Sequence, residues 1–168
     1  MSSTKIVWAT ADDVATIRQI AVDSWWPAYG GYLPHGQIDL MLERQYAEVV
    51  LKRQLDEGHC FLLAYLGEAP VGFAGLREMT ANGTPTIRIE KLYILPHEQG
   101  KGIGRLLLEK VDQYAQRQCA CCVELNVNRN NPAKRFYEKL GFAVVREVDI
   151  PYHGYVLNDY VMQKPVGC

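Results

Sequence analysis

The feature that most constrains this chain is a cluster of glycines placed directly before a helical pattern. In HEQGKGIGRLLLEKV (97–111), glycine fills positions 100, 102 and 104, and apolar residues then recur at helical spacing. Glycine inside a helix costs roughly 0.5–1 kcal/mol relative to alanine, so its presence at a helix start requires a reason. The preceding run, TIRIEKLYIL (86–95), alternates polar and apolar residues and ends at Pro96. The segment therefore predicts a strand, a glycine-rich turn and a helix start.

Such a turn is typical of sites that bind phosphate. A helix N-terminus leaves backbone N–H groups unpaired and carries partial positive charge, and glycines let this backbone approach an anion closely. Lys101 and Arg105 add positive charge beside the turn. The dinucleotide fingerprint fails because Arg105 and Leu107 stand where its third glycine would be, and the P-loop pattern is absent. The alternative is a tight turn that binds no ligand.

The rest of the chain predicts a mixed sheet with helices on its faces, in the order β-α-α-β-β-β-α-β-α-β-β. Its length suits one domain over residues 1–168. The predicted strands are IVWA (6–9), CFLLAYL (60–66), APVGFAGLREM (69–79), TIRIEKLYIL (86–95), CCVELNV (121–127), FAVVREVDI (142–150) and GYVLNDYVMQK (154–164). The first helix begins after a capping sequence, TADD (10–13), and is expected to kink or stop near Pro27. The other helices are expected over 37–57, after the glycines, and over 131–141.

Composition excludes several classes of partner. Lys and Arg number 18 against 19 Asp and Glu, and this balance lacks the basic excess of a nucleic-acid-binding protein. No stretch approaches the roughly 20 apolar residues of a membrane span. The N-terminal sequence lacks the apolar core of a signal peptide, which favours the cytoplasm. The cluster CACC (119–122) lacks the second ligand pair of a zinc site, so no metal is expected.

Two motifs resemble the signatures of the GNAT acyltransferase superfamily. The run LYILPHEQGKGIG is similar to its acetyl-CoA motif, a strand ending V/I-x-P followed by [RQ]-x-x-G-x-[GA], through Gln99, Gly102 and Gly104. The run NNPAKRFYEKLGF resembles the second signature, N-x-x-A-x-x-F/L-Y-x-x-x-G-F. The positions that match it are Asn130, Ala133, Tyr137, Gly141 and Phe142. With the element order, the resemblance covers nearly the whole chain and implies a GNAT-like acyl-CoA N-acyltransferase fold of the α/β class.

The resemblance also implies where the cosubstrate, acetyl-CoA, binds. Beside Gln99, the backbone of the turn is expected to cradle the pyrophosphate, and the residues concerned are Gly100, Lys101, Gly102, Ile103, Gly104 and Arg105. The pantetheine arm is expected to lie along the backbone of the motif strand at Leu92, Tyr93 and Ile94. Asn130 is expected to contact this arm from the other side.

Tyr137 occupies the position of the family's usual general acid. When an amine attacks the thioester, a positioned donor must protonate the leaving thiolate, and a phenol has a reference pKa near 10, close to that of a thiol. The amine must also lose a proton, and Glu90 on the motif strand is the best-placed carboxylate. It shares a strand face with residues 92 and 94 unless a bulge intervenes. The other candidate bases are Glu124, Glu78 and His153.

Four aromatic residues lie between the first two predicted helices, where the family closes its acceptor site. They are Trp25, Trp26, Tyr29 and Tyr32. Aromatic faces attract ammonium groups by roughly 0.5–2 kcal/mol, although such residues also serve as core. The segments RIEKLYI (88–94) and GYVLNDYVM (154–162) resemble the polyamine-acetylating branch of the family.

The resulting hypothesis is an N-acetyltransferase that moves an acetyl group from acetyl-CoA to a primary amine of a small molecule by direct attack in a ternary complex. A polyamine, an amino acid and an aminoglycoside-type molecule are open as acceptors. The alternatives are acetylation of a protein N-terminus or lysine, and a CoA-binding sensor or assembly subunit without catalysis. A nucleotidyl-type phosphate site is disfavoured because no metal-binding carboxylate cluster accompanies the glycines. A homodimer is left open.

Overall fold

A computed structural model describes residues 3–167. Its strands are β1 (Thr4–Trp8), β2 (Cys60–Leu66), β3 (Ala69–Ala81), β4 (Thr84–Ile94), β5 (Cys122–Asn128), β6 (Ala143–Tyr152) and β7 (Tyr155–Pro165). Its helices are α1 (Val14–Tyr29), α2 (His35–Tyr46), α3 (Glu48–Asp56), α4 (Ile103–Arg117) and α5 (Lys134–Lys139). The predicted mixed α/β fold is confirmed, with one helix more than expected.

The strands hydrogen-bond in the order β1-β2-β3-β4-β5-β7-β6. The β4–β5 pair is parallel, and α4 forms the crossover between these two strands, as parallel neighbours require. The pairs β1–β2, β2–β3, β5–β7 and β6–β7 are antiparallel. The parallel register runs from Thr86 against Cys122 to Ile89 against Leu125 and ends there.

The chain divides into two compact units, which comprise residues 3–77 with 91–110 and residues 78–90 with 111–167. The first unit buries apolar side chains from its helices and from β2 and β3, among them Ile17, Ile38, Leu51, Phe61, Leu63 and Phe73. The second unit buries residues of β4, β5 and β7, among them Ile87, Ile89, Val123, Leu125 and Met162. A single domain over residues 1–168 stays a prediction.

Both the start and the end of the first helix lie where the sequence predicts them. The Thr10 backbone N–H donates to Asp13 Oδ2 at 2.7 Å, so the predicted capping sequence is confirmed. The expected stop near Pro27 is confirmed, because α1 ends at Tyr29, two residues later. Proline removes only one backbone donor, and the helix closes one turn later with the Gly30 N–H donating to the Trp26 carbonyl at 2.8 Å.

The helix expected over 37–57 is two helices, because Ala47 adopts an extended conformation with ψ of 142°. The reason lies in the buried side chains on either side of it. Tyr46 and Leu51 are both fully buried, yet residues five positions apart point about 140° apart on one continuous helix. The break at Ala47 lets both reach the core of the first unit.

The turns that join β2 to β3 and β3 to β4 contain residues in the left-handed conformation. Gly67, between β2 and β3, has φ of 62°. Asn82 and Gly83, between β3 and β4, have φ of 50° and 79°, as a two-residue turn with a left-handed pair requires. The helix expected over 131–141 is shorter, since α5 spans only Lys134–Lys139.

Candidate active site

The glycine turn joins β4 to α4 in the first unit. After a 3₁₀ turn at Pro96–Glu98, Gly100 and Gly102 have φ of 81° and 80°, a left-handed conformation that glycine adopts without steric cost. Gly104 lies in the first turn of α4. A Cβ atom built on Gly100 or Gly102 would meet nothing within 4 Å. The space over these two glycines is therefore open to a ligand, which fits a turn that cradles phosphate.

Two side chains fasten this turn. The Gln99 Nε2 group donates to the Ile94 carbonyl at 3.2 Å, which ties the turn to the end of β4. Lys101 Nζ lies 2.7 Å from Glu98 Oε2, so part of its charge is neutralised within the turn. Arg105 is exposed at the start of α4, next to the buried Ile103 that anchors the helix. The cationic character of the turn therefore depends on Arg105 and on the backbone N–H groups of the helix start.

The end of β4 carries a side chain whose role the sequence did not indicate. Only the backbone of Leu92, Tyr93 and Ile94 was expected to matter. In the structure, the Tyr93 hydroxyl lies 2.9 Å from the Tyr29 hydroxyl, and its ring centroid lies 5.7 Å from that of Trp25. Tyr93 therefore joins the aromatic residues that were expected at the acceptor site.

The four expected aromatic residues have different surroundings. Trp25 is only 3% exposed, packs 4.6 Å from the Tyr29 ring, and has an indole N–H without a hydrogen-bond partner among residues 3–167. Trp26 instead packs edge-on against His35 at 5.2 Å. The Tyr32 ring lies 5.9 Å from that of Tyr29, and both tyrosines are half-buried. Tyr29 and Tyr32 are thus more accessible to an acceptor than Trp25.

The second signature lies in the second unit. Tyr137 is half-buried in α5, and its ring centroid is 5.8 Å from that of Phe142. Asn130 is exposed in the preceding loop, where its backbone N–H donates to Asn128 Oδ1 at 2.9 Å. Asn131 Oδ1 accepts from the Ala133 N–H at 2.9 Å, just before α5 begins. These asparagine side chains shape the loop that carries Asn130 and Tyr137.

The candidate bases of the second unit differ in their partners. Glu90 is exposed, and its Oε2 lies 3.5 Å from Arg88 Nε. Glu124 is only 2% exposed; its Oε2 accepts from Arg88 Nη1 at 2.7 Å and its Oε1 accepts from Gln163 Nε2 at 2.9 Å. Since both Glu124 oxygens are engaged, Glu124 is poorly suited to accept a proton from a substrate.

Hydrogen bonds through Asn126 connect Arg88 to Asp159, a carboxylate that the sequence does not indicate as a base. Arg88 Nη2 donates to Asn126 Oδ1 at 2.7 Å, and Asn126 Nδ2 donates to Asp159 Oδ2 at 3.3 Å. Desolvation raises the pKa of Asp159, although the Asn126 hydrogen bond and the charges of Arg88 and Arg129 oppose this rise. We call Arg88, Glu90, Glu124, Asn126 and Asp159 the polar network.

The remaining candidate bases lie elsewhere in the second unit. Glu78 lines an open cavity of about 310 Å³ together with Thr86 and Gln118. His153, in the turn between β6 and β7, has φ of 45° and packs 4.8 Å from the Tyr152 ring.

Between residues 3 and 167, no three His, Cys, Asp or Glu side chains are grouped so as to hold a metal ion. In the same range, no helix combines the length and apolar character needed to span a membrane.

The mixed sheet, with one parallel pair joined through the glycine turn and α4, is consistent with the acyl-CoA N-acyltransferase fold. The profile of the Acetyltransferase (GNAT) family matches residues 18–142. The chain belongs to this family, which confirms the resemblance that the two motifs carry.

Curated relatives support the same assignment. A spermidine N(1)-acetyltransferase of Thermoplasma acidophilum is 26% identical over 159 residues, 91% of this chain and 91% of the relative. An uncharacterized N-acetyltransferase of Methanocaldococcus jannaschii is 28% identical over 141 residues, 76% of this chain and 60% of the relative.

Solved structures also resemble the chain over nearly its full length. The PaiA N-acetyltransferase of Thermoplasma acidophilum, in complex with coenzyme A, has a TM-score of 0.82 and 25% identity, with 97% of this chain and 99% of that chain covered. The ribosomal-protein-S18-alanine N-acetyltransferase of Escherichia coli has a TM-score of 0.72 at 16% identity, covers 99% and 96%, and shares the fold alone. The chain is an acetyl-CoA-dependent N-acetyltransferase.

Proposed function

We propose that this enzyme acetylates a primary amine of a small molecule, and that polyamines are its preferred acceptors. The observation that carries the proposal is the similarity to a spermidine N(1)-acetyltransferase over 91% of both chains. The half-buried Tyr29 and Tyr32 support it, because their rings suit an ammonium group. On this proposal Trp25 backs the Tyr29 ring, and Trp26 lines the acceptor site beside His35.

Acetyl-CoA is proposed to bind along β4 and the glycine turn. The backbone from Gly100 to Arg105 cradles the pyrophosphate, and the open space over Gly100 and Gly102 supports this role. The pantetheine arm follows the backbone of β4 at Leu92, Tyr93 and Ile94, beyond Ile89 where pairing with β5 ends. Asn130 contacts the arm from its exposed loop.

The chemistry is proposed as direct attack of the amine on the thioester, without an acetylated enzyme. Tyr137 protonates the sulfur as the thiolate leaves, and a carboxylate of the second unit takes the proton of the ammonium. The sequence favours Glu90 for this second role, and its exposed position also suits attraction of a cation. No metal is required for either proton transfer.

Thiol release with a panel of amines tests the proposal. The purified protein is incubated with acetyl-CoA and either spermidine, putrescine, neutral and acidic amino acids, an aminoglycoside, or peptides with a free N-terminus or lysine. We expect the highest kcat/KM for the polyamines. Preference for a peptide over every small amine would replace the small-molecule proposal with protein acetylation. The absence of thiol release with every acceptor, despite CoA binding, would overturn the proposed reaction.

A further inference from the structure

We infer that Asp159 is the base that removes the proton from the acceptor amine, and that Asn126 and Arg88 are its positioning residues. The inference rests on the proposed function, because it assumes that the acceptor arrives as an ammonium ion. It assigns the base to β7, the last strand of the chain, rather than to Glu90 on the motif strand.

The register of the second unit places Asp159 beside the loop of the second signature. Asp159 lies opposite Asn128 at the end of β5, three residues beyond the last β5 residue that pairs with β4. Asn128 Oδ1 in turn accepts from the Asn130 backbone N–H at 2.9 Å. One strand pairing and one hydrogen bond therefore connect Asp159 to the residue expected to contact the pantetheine arm.

The hydrogen bonds of Asp159 orient it but leave it able to accept a proton. Asn126 Nδ2 donates to Oδ2 at 3.3 Å, and within residues 3–167 no side chain or backbone group donates to Oδ1. Asn126 itself is fixed from behind by Arg88 Nη2 at 2.7 Å. Asn126 thus orients one carboxylate oxygen, and on this inference the other oxygen receives the substrate proton.

The other two carboxylates of the polar network are more directly engaged with Arg88. Glu124 is buried with both oxygens occupied, one of them by the Arg88 guanidinium at 2.7 Å. Glu90 Oε2 lies 3.5 Å from Nε of the same guanidinium. Asp159 receives its contact from the neutral amide of Asn126 instead, so it remains free of a direct ion pair within the described residues. An exposed Glu90 is better suited to attracting the ammonium ion than to removing its proton.

The environment of Asp159 gives it a higher proton affinity than an ordinary aspartate. Desolvation raises its pKa, and this effect exceeds the opposing influence of Asn126, Arg88 and Arg129. Arg129 contacts the Asp159 backbone carbonyl through Nε at 3.4 Å and is paired with Asp149 at 2.7 Å. Opposite Asp159 on β6 stands the apolar Val148. A partly buried carboxylate with a raised pKa is a better general base near neutral pH.

Asp159 on β7 and Tyr137 on α5 together account for the protons that the reaction moves. Asp159 takes one proton from the ammonium, and the freed nitrogen lone pair forms the bond to the thioester carbonyl carbon. The carbon–sulfur bond then breaks, and Tyr137 gives its proton to the sulfur. The second proton lost by the nitrogen restores the Tyr137 phenol. Asp159 releases its proton to water, so that each turnover yields the amide, the free thiol and one proton.

The test is the pH dependence of kcat/KM for spermidine at saturating acetyl-CoA, measured by thiol release. Because Asp159 must be ionised to accept a proton, wild-type kcat/KM should rise with pH through the raised pKa of this carboxyl. Asp159→Asn should lower kcat by roughly 10²–10⁴-fold, abolish this acid limb and leave the KM for acetyl-CoA unchanged. Glu147→Gln is the matched control, since it removes an exposed carboxylate of β6 that lies opposite Tyr160 rather than Asp159 and should leave the profile unchanged.

Two further variants separate a base from a structural residue. Asn126→Leu removes the hydrogen bond that lowers the pKa of Asp159, so the acid limb should move to higher pH rather than disappear. Asp159→Ala opens space beside Asn126, and added formate should restore part of the activity in a saturable manner. A residue needed only for folding would give neither the shift nor the rescue.

The outcomes that overturn the inference leave the proposed function intact. If Asp159→Asn turns over spermidine near the wild-type rate with the acid limb present, Asp159 is not the base. The same holds if Glu90→Gln abolishes the acid limb, because the proton then goes to Glu90. Failure of the proposed function has a different signature, namely a wild-type enzyme that releases no thiol with any amine.

Discussion

Replacing Arg88 with methionine should destabilise the second unit more than any exposed charge substitution. The change removes the guanidinium that donates to Glu124 at 2.7 Å and to Asn126 at 2.7 Å. Glu124 is 2% exposed, so water cannot solvate the carboxylate in place of the lost partner. Gln163 remains its donor at 2.9 Å but carries no charge.

The magnitude follows from the burial of this pair. Breaking a buried ion pair by removing one partner costs about 3–5 kcal/mol, and a chain of this length loses roughly 2–4 °C in Tm per kcal/mol. The Tm of Arg88→Met should therefore fall by roughly 6–20 °C. The Arg53–Glu57 pair provides the comparison, since its atoms lie 3.8 Å apart with side chains 64% and 58% exposed. Arg53→Met should cost at most about 1 kcal/mol.

Thermal melts followed by circular dichroism measure this prediction, with the double variant Arg88→Met/Glu124→Leu as the decisive comparison. Removing both charges abolishes the uncompensated carboxylate, so the double variant should recover most of the lost Tm. If Arg88→Met melts within the range of Arg53→Met, the buried pair does not stabilise the fold as argued. If the double variant melts as low as the single one, the loss comes from packing and not from the buried charge.

Four other substitutions test the proposed site. Gly102→Val should abolish CoA binding by calorimetry without unfolding the chain, whereas Gly83→Val, with the same φ and the same open surroundings, should bind CoA normally. Unchanged CoA affinity in Gly102→Val would refute the phosphate cradle. Tyr137→Phe should lower kcat by roughly 10²–10⁴-fold with little change in acetyl-CoA binding, and near wild-type turnover would refute its role as acid. Trp25→Ala should lower the free energy of unfolding by about 3–5 kcal/mol, whereas Tyr29→Ala should mainly raise the KM for the acceptor; equal effects of the two on Tm would assign both to packing.

The features that sequence predicted are those encoded by neighbouring residues. The glycine turn and the capping sequence at Thr10 each depend on backbone preferences within a few positions. Each of the two signatures is also contiguous, which is why the sequence alone indicates the family. Element order follows from these local signals together with hydrophobic spacing.

The errors arise where burial decides the local conformation. The apolar spacing over 37–57 fits one helix, but Tyr46 and Leu51 can both be buried only if Ala47 interrupts it. The side-chain role of Tyr93 was also missed, because alternation in β4 indicates a face but not the helix residue that meets it. Its hydroxyl contact with Tyr29 joins positions 64 residues apart.

The sequence does not predict the polar network either, because its contacts join residues that are far apart in the chain. Its members come from β4, β5 and β7, and their contacts depend on the register of two strand pairs. Arg88 and Glu90 could be recognised as neighbours on one strand face, but Asn126 and Asp159 join them only through pairing across 33 to 38 positions. Asp159 lies in GYVLNDYVM, a segment that sequence connected with polyamine acetylation but not with a proton acceptor.

The sheet of the second unit separates the proposed proton donor from the proposed proton acceptor. Lys134 Nζ lies 5.1 Å from the Tyr160 ring, so α5, which carries Tyr137, packs on the face of β7 to which Tyr160 points. Asp159 precedes Tyr160 and faces the opposite side, where it contacts Asn126. A phenol and a carboxylate in direct contact would share one proton, and the acid and the base would then titrate together. Both groups can act on one reacting centre only where the sheet is open, beyond the Ile89–Leu125 pair at which the pairing of β4 with β5 ends. The loss of either side chain should therefore lower the rate by itself.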